Sequence, residues 1–146
     1  MERAKVIVDA SVIVKWFVEE NYFREARLLR DSYANGLIDI VVPSLMYYEV
    51  INALKYSGEF GEDELKEIAE ILEDFQFTEF SLKGRFALRS IEIAMRKGLT
   101  IYDASYVALA YELNSELYTA DEKLIMKVND PKRVKHIRQF KISSAI

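Results

Sequence analysis

The chain alternates short continuous apolar runs with longer stretches in which apolar residues recur every three to four positions. Residues 5–8 (Lys5-Val6-Ile7-Val8) and 38–42 (Ile38-Asp39-Ile40-Val41-Val42) read as buried strands of the kind covered on both faces. A short helix is expected over 12–18. A second over 23–33 has apolar positions at Phe23, Ala26, Leu28, Leu29 and Tyr33, and Asn35-Gly36 ends it. Pro43 stops the second strand, and Ser44 is the expected N-cap of a helix running to Ser57 and closed by Gly58. Residues 62–74 place Leu65, Ile68, Ala69, Leu72 and Phe75 on one helical face, and 75–82 partly alternates, which predicts a strand. The spacing over 83–97 predicts a helix with Ala87, Ile91, Ala94 and Met95 inward and Arg85, Arg89 and Arg96 outward, broken at Gly98. Helix is expected over 102–113 and 121–128, with strands over 116–119 and 134–137. Strands alternating with helices predict an α/β fold, a three-layer α/β/α sandwich around a mainly parallel, twisted sheet. The 146 residues suit a single domain over 1–146, since two halves would each be too small to bury a stable core.

Four carboxylates break this pattern. Asp9 and Asp121 follow strands directly, at the sheet edge where open parallel sheets bind ligands. Glu49 lies between Leu45 and Ala53 on its helical wheel, near Met46, where it must shed hydration unless a cation or hydrogen bonds compensate. Asn52 sits towards the same side and is placed to orient it. Asp103 falls beside Ala104, Val107, Ala110 and Tyr111 near the start of its helix. Each acid has a plainer explanation. Asp9 caps a helix, Glu49 forms a salt bridge, Asp103 answers the helix dipole, and Thr119-Ala120-Asp121-Glu122 is a capping box with Thr119 as N-cap. Together they point further. Two stand at strand carboxyl ends and two on helices that must pack on the same sheet. Convergence would repel unless protons or metal ions neutralise it.

Composition narrows the chemistry. There is no cysteine and one histidine, His136, so thiolate sites, cysteine nucleophiles and His-rich zinc centres are excluded. A centre of hard oxygen ligands selects Mg²⁺ or Mn²⁺, and such an ion suits phosphodiester hydrolysis. The net charge of −4 is unevenly spread. Residues 59–79 hold nine acidic side chains against Lys66, a net of −8. Residues 83–97 hold five basic side chains against Glu92, a net of +4, and 123–141 hold seven against Asp130, a net of +6. The basic segments are surface faces in the plain reading and phosphate contacts in the functional one. His136 is expected to pack or hydrogen-bond. Trp16, Phe17, Tyr47 and Tyr48 are either core or a stacking and partner groove. Asp9 and Lys15 interrupt the apolar start where a secretory signal would lie, and no apolar run spans a bilayer, so a cytoplasmic protein without membrane association is expected.

Val8-Asp9-Ala10-Ser11, Glu49 with Asn52, Tyr102-Asp103-Ala104 and Tyr118-Thr119-Ala120-Asp121 occur in an order that resembles the PIN-domain ribonucleases. The compact length is similar to the VapC-type toxins of toxin–antitoxin pairs. The resemblance spans nearly the whole chain. It implies a Mg²⁺- or Mn²⁺-dependent endoribonuclease, a homodimer held inactive by a small antitoxin, with structured RNA loops as substrate. It also implies that Asp9, Glu49, Asp103 and Asp121 are metal ligands, supported by Ser11 and Thr119, with Glu49 or Asp121 assisting deprotonation of the attacking water.

Two rival functions stand beside it. A haloacid-dehalogenase-like, Mg²⁺-dependent phosphatase also uses a strand-end aspartate, but its second acid two residues on is here Ser11. A catalytically silent PIN-like module would bind RNA or protein without cutting.

Overall fold

The two continuous apolar runs become neighbours at the middle of a five-stranded sheet. The computed structural model describes residues 3–142. Its strands are β1 (Ala4–Val8), β2 (Ile38–Pro43), β3 (Thr78–Phe80), β4 (Glu116–Thr119) and β5 (Val134–His136). The helices are α1 (Ala10–Ile13), α2 (Phe23–Ala34), α3 (Met46–Ser57), α4 (Glu62–Asp74), α5 (Gly84–Lys97), α6 (Ile101–Glu112) and α7 (Glu122–Val128). The strand order is β3-β2-β1-β4-β5, with every neighbouring pair parallel. Ile7 of β1 stands between Val41 of β2 and Leu117 of β4. All three are essentially solvent-free, as central strands of a covered parallel sheet must be. The expected α/β/α sandwich is therefore the fold.

Because all strands run the same way, their carboxyl ends lie along one edge of the sheet. Helix α6 packs across β1, β2 and β4, and α5 packs on α6. Residues Ala104 to Ala110 of α6 are consequently buried all round, between sheet and outer helix. Helix α2 meets β2, and Trp16 donates through Nε1 to the Ala26 carbonyl at 2.8 Å. Trp16 also packs with Phe75 and Phe77, whose rings stack 5.3 Å apart.

Four expectations change in detail. The helix expected over 12–18 is instead one α-turn from Ala10 followed by a 3-10 turn, Val14–Trp16, because Asp9 starts it earlier. Ser44 does not cap α3. Leu45 holds the N-cap position with no side-chain bond, and the Ser44 amide instead donates to the Phe80 carbonyl at 2.9 Å, continuing the β2–β3 pairing. The strand expected over 75–82 contracts to Thr78–Phe80 at the sheet's edge. The largest difference is on α5, where Ile91 and Met95 face outward. The buried face carries Phe86, Ser90 and Ala94, while Leu88, Ile91 and Met95 form an exposed stripe at i, i+3 and i+7. Helix α5 has two apolar stripes, and only its packing on α6 decides which is covered.

Candidate active site

Chain geometry delivers all four carboxylates to the carboxyl edge of the sheet, each at the start of a helix. Asp9 leaves β1 and N-caps α1, accepting from the Ser11 amide at 3.1 Å. Asp121 leaves β4 and N-caps α7, accepting through Oδ1 from Lys123 and Leu124 amides at 2.9 and 3.2 Å. Glu49 and Asp103 occupy the first turns of α3 and α6. Thr100 caps α6 by accepting from the Asp103 amide at 3.0 Å. The positive ends of four helices therefore face the acids and partly offset their charge.

The capping explanation and the cluster explanation hold together at Asp9 and Asp121. The capping box centred on Thr119 does not form, because α7 begins one residue after Asp121, which takes the cap itself. Thr119 Oγ1 accepts from the Asp121 amide at 3.0 Å and so aims that residue. Ser11 joins the two strand ends. Its hydroxyl donates to Asp9 Oδ1 and accepts from the Ala120 amide at 3.0 Å, across 109 positions of sequence.

Glu49 is half-buried, as its place in an apolar arc requires, but its partner is not Asn52. The Tyr106 hydroxyl on α6 donates to Glu49 Oε1 at 2.7 Å. Asn52 is exposed on the wall of a neighbouring groove. Sequence reading passed over Tyr106. The available signal was a lone hydroxylated aromatic, otherwise surrounded by Ala104, Val107, Ala108 and Ala110. Burial by that helix pushes the Tyr106 hydroxyl far above its usual range, as does the adjacent Glu49, so it stays a donor.

The electrostatics of the cluster are those of charge short of a counterion. Burial raises the Asp9 carboxyl to about 6, bonds from Ser11 and Thr119 oppose the rise, and Asp103 and Glu49 add to it. Glu49 is raised by burial and by Asp103, against the Tyr106 bond. Asp103 is raised by burial and by Asp121, with Lys127 the opposing cation. Among the described residues, no three carboxylates close tightly enough to enclose one ion unaided. An open, all-oxygen set of mutually repelling acids fits a hydrated hard cation, which keeps several waters and binds through one or two carboxylates.

Five of the twelve basic side chains in the two basic segments engage other side chains within the protein. Arg85 and Arg89 both pair with Glu112. Arg133 donates to the Ser115 carbonyl and to Asn114, Lys135 pairs with Glu116, and Arg138 pairs with Glu122. His136 is buried, with Nδ1 accepting from the Arg138 amide at 3.0 Å and its ring edge-on to Tyr22. The histidine therefore packs and hydrogen-bonds. Trp16 belongs to the core and Phe17 packs against it, whereas Tyr48 is 81% exposed beside Glu49.

Known proteins share both sequence and shape with this chain. The ribonuclease VapC3 of Pyrobaculum aerophilum is 34% identical over 134 residues, covering 84% of this chain and 94% of that protein. A toxin–antitoxin complex from Klebsiella pneumoniae superposes with TM-score 0.67 at 18% identity, over 94% of this chain and 99% of that one. The sarcin–ricin loop cleaving toxin VapC20 of Mycobacterium tuberculosis superposes with TM-score 0.66 at 13% identity, over 83% and 93% of the two chains. A PIN domain profile matches residues 6–129, from β1 through the end of α7, and with it every one of the four acids. The chain belongs to the PIN-domain family.

Proposed function

We propose that this protein is a divalent-metal-dependent endoribonuclease, the toxin of a toxin–antitoxin pair, acting through Asp9, Glu49, Asp103 and Asp121. The observation that carries the reading is the convergence of those four carboxylates, from four separate elements, at one sheet edge. The relatives support the RNA substrate: one similar protein is named a ribonuclease, and another cleaves the sarcin–ricin loop.

A bound Mg²⁺ or Mn²⁺ would supply a water of lowered pKa and neutralise charge building on the phosphodiester. The protein's own contribution is placement. Ser11 and Thr119 hold Asp9 and the start of α7 in fixed relation. Tyr106 donates to Oε1 of Glu49, and the first amides of α7 donate to Oδ1 of Asp121. In this reading Glu49 and Asp121 each offer the other oxygen to the cation or to the proton of the attacking water.

The same reading extends to partners. Similar folds occur in toxin–antitoxin complexes, which supports a small antitoxin as inhibitor. The outward Leu88, Ile91 and Met95 stripe supports pairing of two copies through α5.

Cleavage of total cellular RNA tests the reading. Purified protein, shown to be free of antitoxin, is incubated with Mn²⁺, with Mg²⁺ and with EDTA, and Asp9→Asn is run alongside. Discrete fragments lost with EDTA and with the variant are expected. Intact RNA under every condition, from folded protein, would sink general ribonuclease activity and leave a narrow-substrate enzyme or the silent binding module as the better account.

A further inference from the structure

We propose that the groove beside the acid cluster, between α3 and the start of α6, seats an unpaired nucleoside next to the scissile phosphate, stacked on Tyr48 and Tyr102. This rests on the ribonuclease reading. The groove has a volume of about 710 Å³, and Glu49, Asn52 and Lys55 line it together with the two tyrosines. That volume lies within the range of small-molecule sites, about 300–1,000 Å³.

The wall chemistry selects the occupant. Tyr48 and Tyr102 leave 81% and 60% of their surfaces to solvent, a waste of aromatic area unless something stacks there. Tyr48, Asn52 and Lys55 fall at i, i+4 and i+7 on α3 and so form one stripe. That stripe offers an aromatic face, an amide and a cation in sequence. An aromatic takes the π-face of any base, an amide pairs with a base edge, and a cation takes a phosphate. Tyr47 and Ile51 add apolar wall beside that stripe, against which the edge of a base or a ribose packs.

The charge arrangement agrees with a strand of nucleic acid. Glu49, one of the acids of the cluster, and Lys55 line the same groove as the two tyrosines. A cation held by the acid cluster would take one phosphate and Lys55 a neighbouring one, with the base between them over the tyrosines. Base pairing would bury the faces the groove needs, so the proposed site takes unpaired RNA.

The test uses a single-stranded hexaribonucleotide carrying 2-aminopurine, whose fluorescence falls when it stacks. Binding is read in Ca²⁺ and cleavage in Mn²⁺, for the wild type and for Tyr48→Ala, Tyr102→Ala, Tyr48→Phe and Tyr102→Phe. Both positions are exposed, and melting curves check folding. Each alanine variant is expected to lose the quenching and to raise Kd and KM by about 5- to 100-fold with kcat nearly unchanged. The phenylalanine variants should keep the quenching and stay within about threefold of wild type.

Alanine variants that bind and cleave like wild type would overturn the nucleoside seat and leave the nuclease intact. Quenching by a wild type that cuts nothing in Mn²⁺ would sink the nuclease reading and leave the seat standing. Loss of binding of an amphipathic helical peptide in the alanine variants, with RNA binding untouched, would assign the groove to protein and overturn the proposal.

Discussion

The Tyr106 hydroxyl, donating at 2.7 Å to Oε1 of Glu49, ties α6 to α3 directly beneath the acid cluster. The ring is almost wholly buried and the hydroxyl is its one polar handle. Replacing Tyr106 with Phe keeps the packing and removes only the bond, at a stability cost of about 1 kcal/mol. Glu49 would then lose its fixed orientation. Loss of such an orienting partner typically costs about 10- to 100-fold in metal affinity or activity. A Mn²⁺ titration followed by paramagnetic resonance, beside a melting curve, checks both. Unchanged Mn²⁺ affinity would show that the bond serves only the fold.

Asp9 offers a pH signature. Its folded-state carboxyl is raised from 3.8 to about 6, chiefly by burial. A raised carboxyl contributes stability that is fully present below the unfolded value and is lost as pH climbs through the folded one. The swing for this group is at most about 3 kcal/mol. Metal-free wild type is therefore expected to lose melting temperature between about pH 4 and pH 6, relative to Asp9→Asn. Added Mn²⁺ should reverse the loss above pH 6 and do little below pH 4, where protons compete. Melting temperatures of the two proteins that run parallel with pH across this range would show that Asp9 does not change protonation there.

Substitution at Asp121 separates helix capping from chemistry. Asn keeps an oxygen for the Lys123 and Leu124 amides, whereas Ala does not. Asp121→Ala should cost about 1 kcal/mol and Asp121→Asn a few tenths at most. Both are expected to lose most RNA cleavage. Retained activity in the Asn variant, measured under conditions where both are folded, would confine Asp121 to its cap.

Ser11→Ala removes a donor to Asp9 and an acceptor for the Ala120 amide together. The orphaned amide alone costs about 1–3 kcal/mol. Since the Ser11 bond holds the Asp9 carboxyl down, its loss should push that carboxyl higher still. Denaturant melts, with carbon-13 shifts of the Asp9 carboxyl followed against pH, report the two effects separately.

A charge on the outer stripe of α5 probes pairing. Met95→Lys leaves the buried Phe86, Ser90 and Ala94 face untouched, so the fold should tolerate it within about 0.5 kcal/mol. Sedimentation is expected to show dimer in wild type and monomer in the variant. A wild type that sediments as monomer at all concentrations would remove the role proposed for this stripe.

Much of this was legible before any coordinates, and for identifiable reasons. Continuous apolar runs at residues 5–8 and 38–42 have few alternatives to central parallel strands, and an acid just beyond such a run has few places to go but the sheet edge. Periodicity located α4 well, since Leu65, Ile68, Ala69 and Leu72 define a single face. It could not choose between the two apolar stripes of α5, which differ only in what α6 offers them. Nor could it find the Tyr106–Glu49 bond, because a contact across 57 positions leaves no trace in local spacing. Ser44 misled for a related reason: its backbone was already engaged with Phe80 on another strand.

The strand order has a consequence for how the protein is made. β1 precedes the other described strands in the chain, yet it lies between β2 and β4, and the Asp9 amide meets the Tyr118 carbonyl and Ser11 meets Ala120 only once β4 has taken its place. A growing chain on the ribosome holds Asp9 and Glu49 for most of its synthesis without Asp121 beside them. If the cluster is the cutting centre, translation passes through no stage with a half-active enzyme. A segment that stops short of Asp121 is expected to carry Asp9 and Glu49 without the assembled cluster.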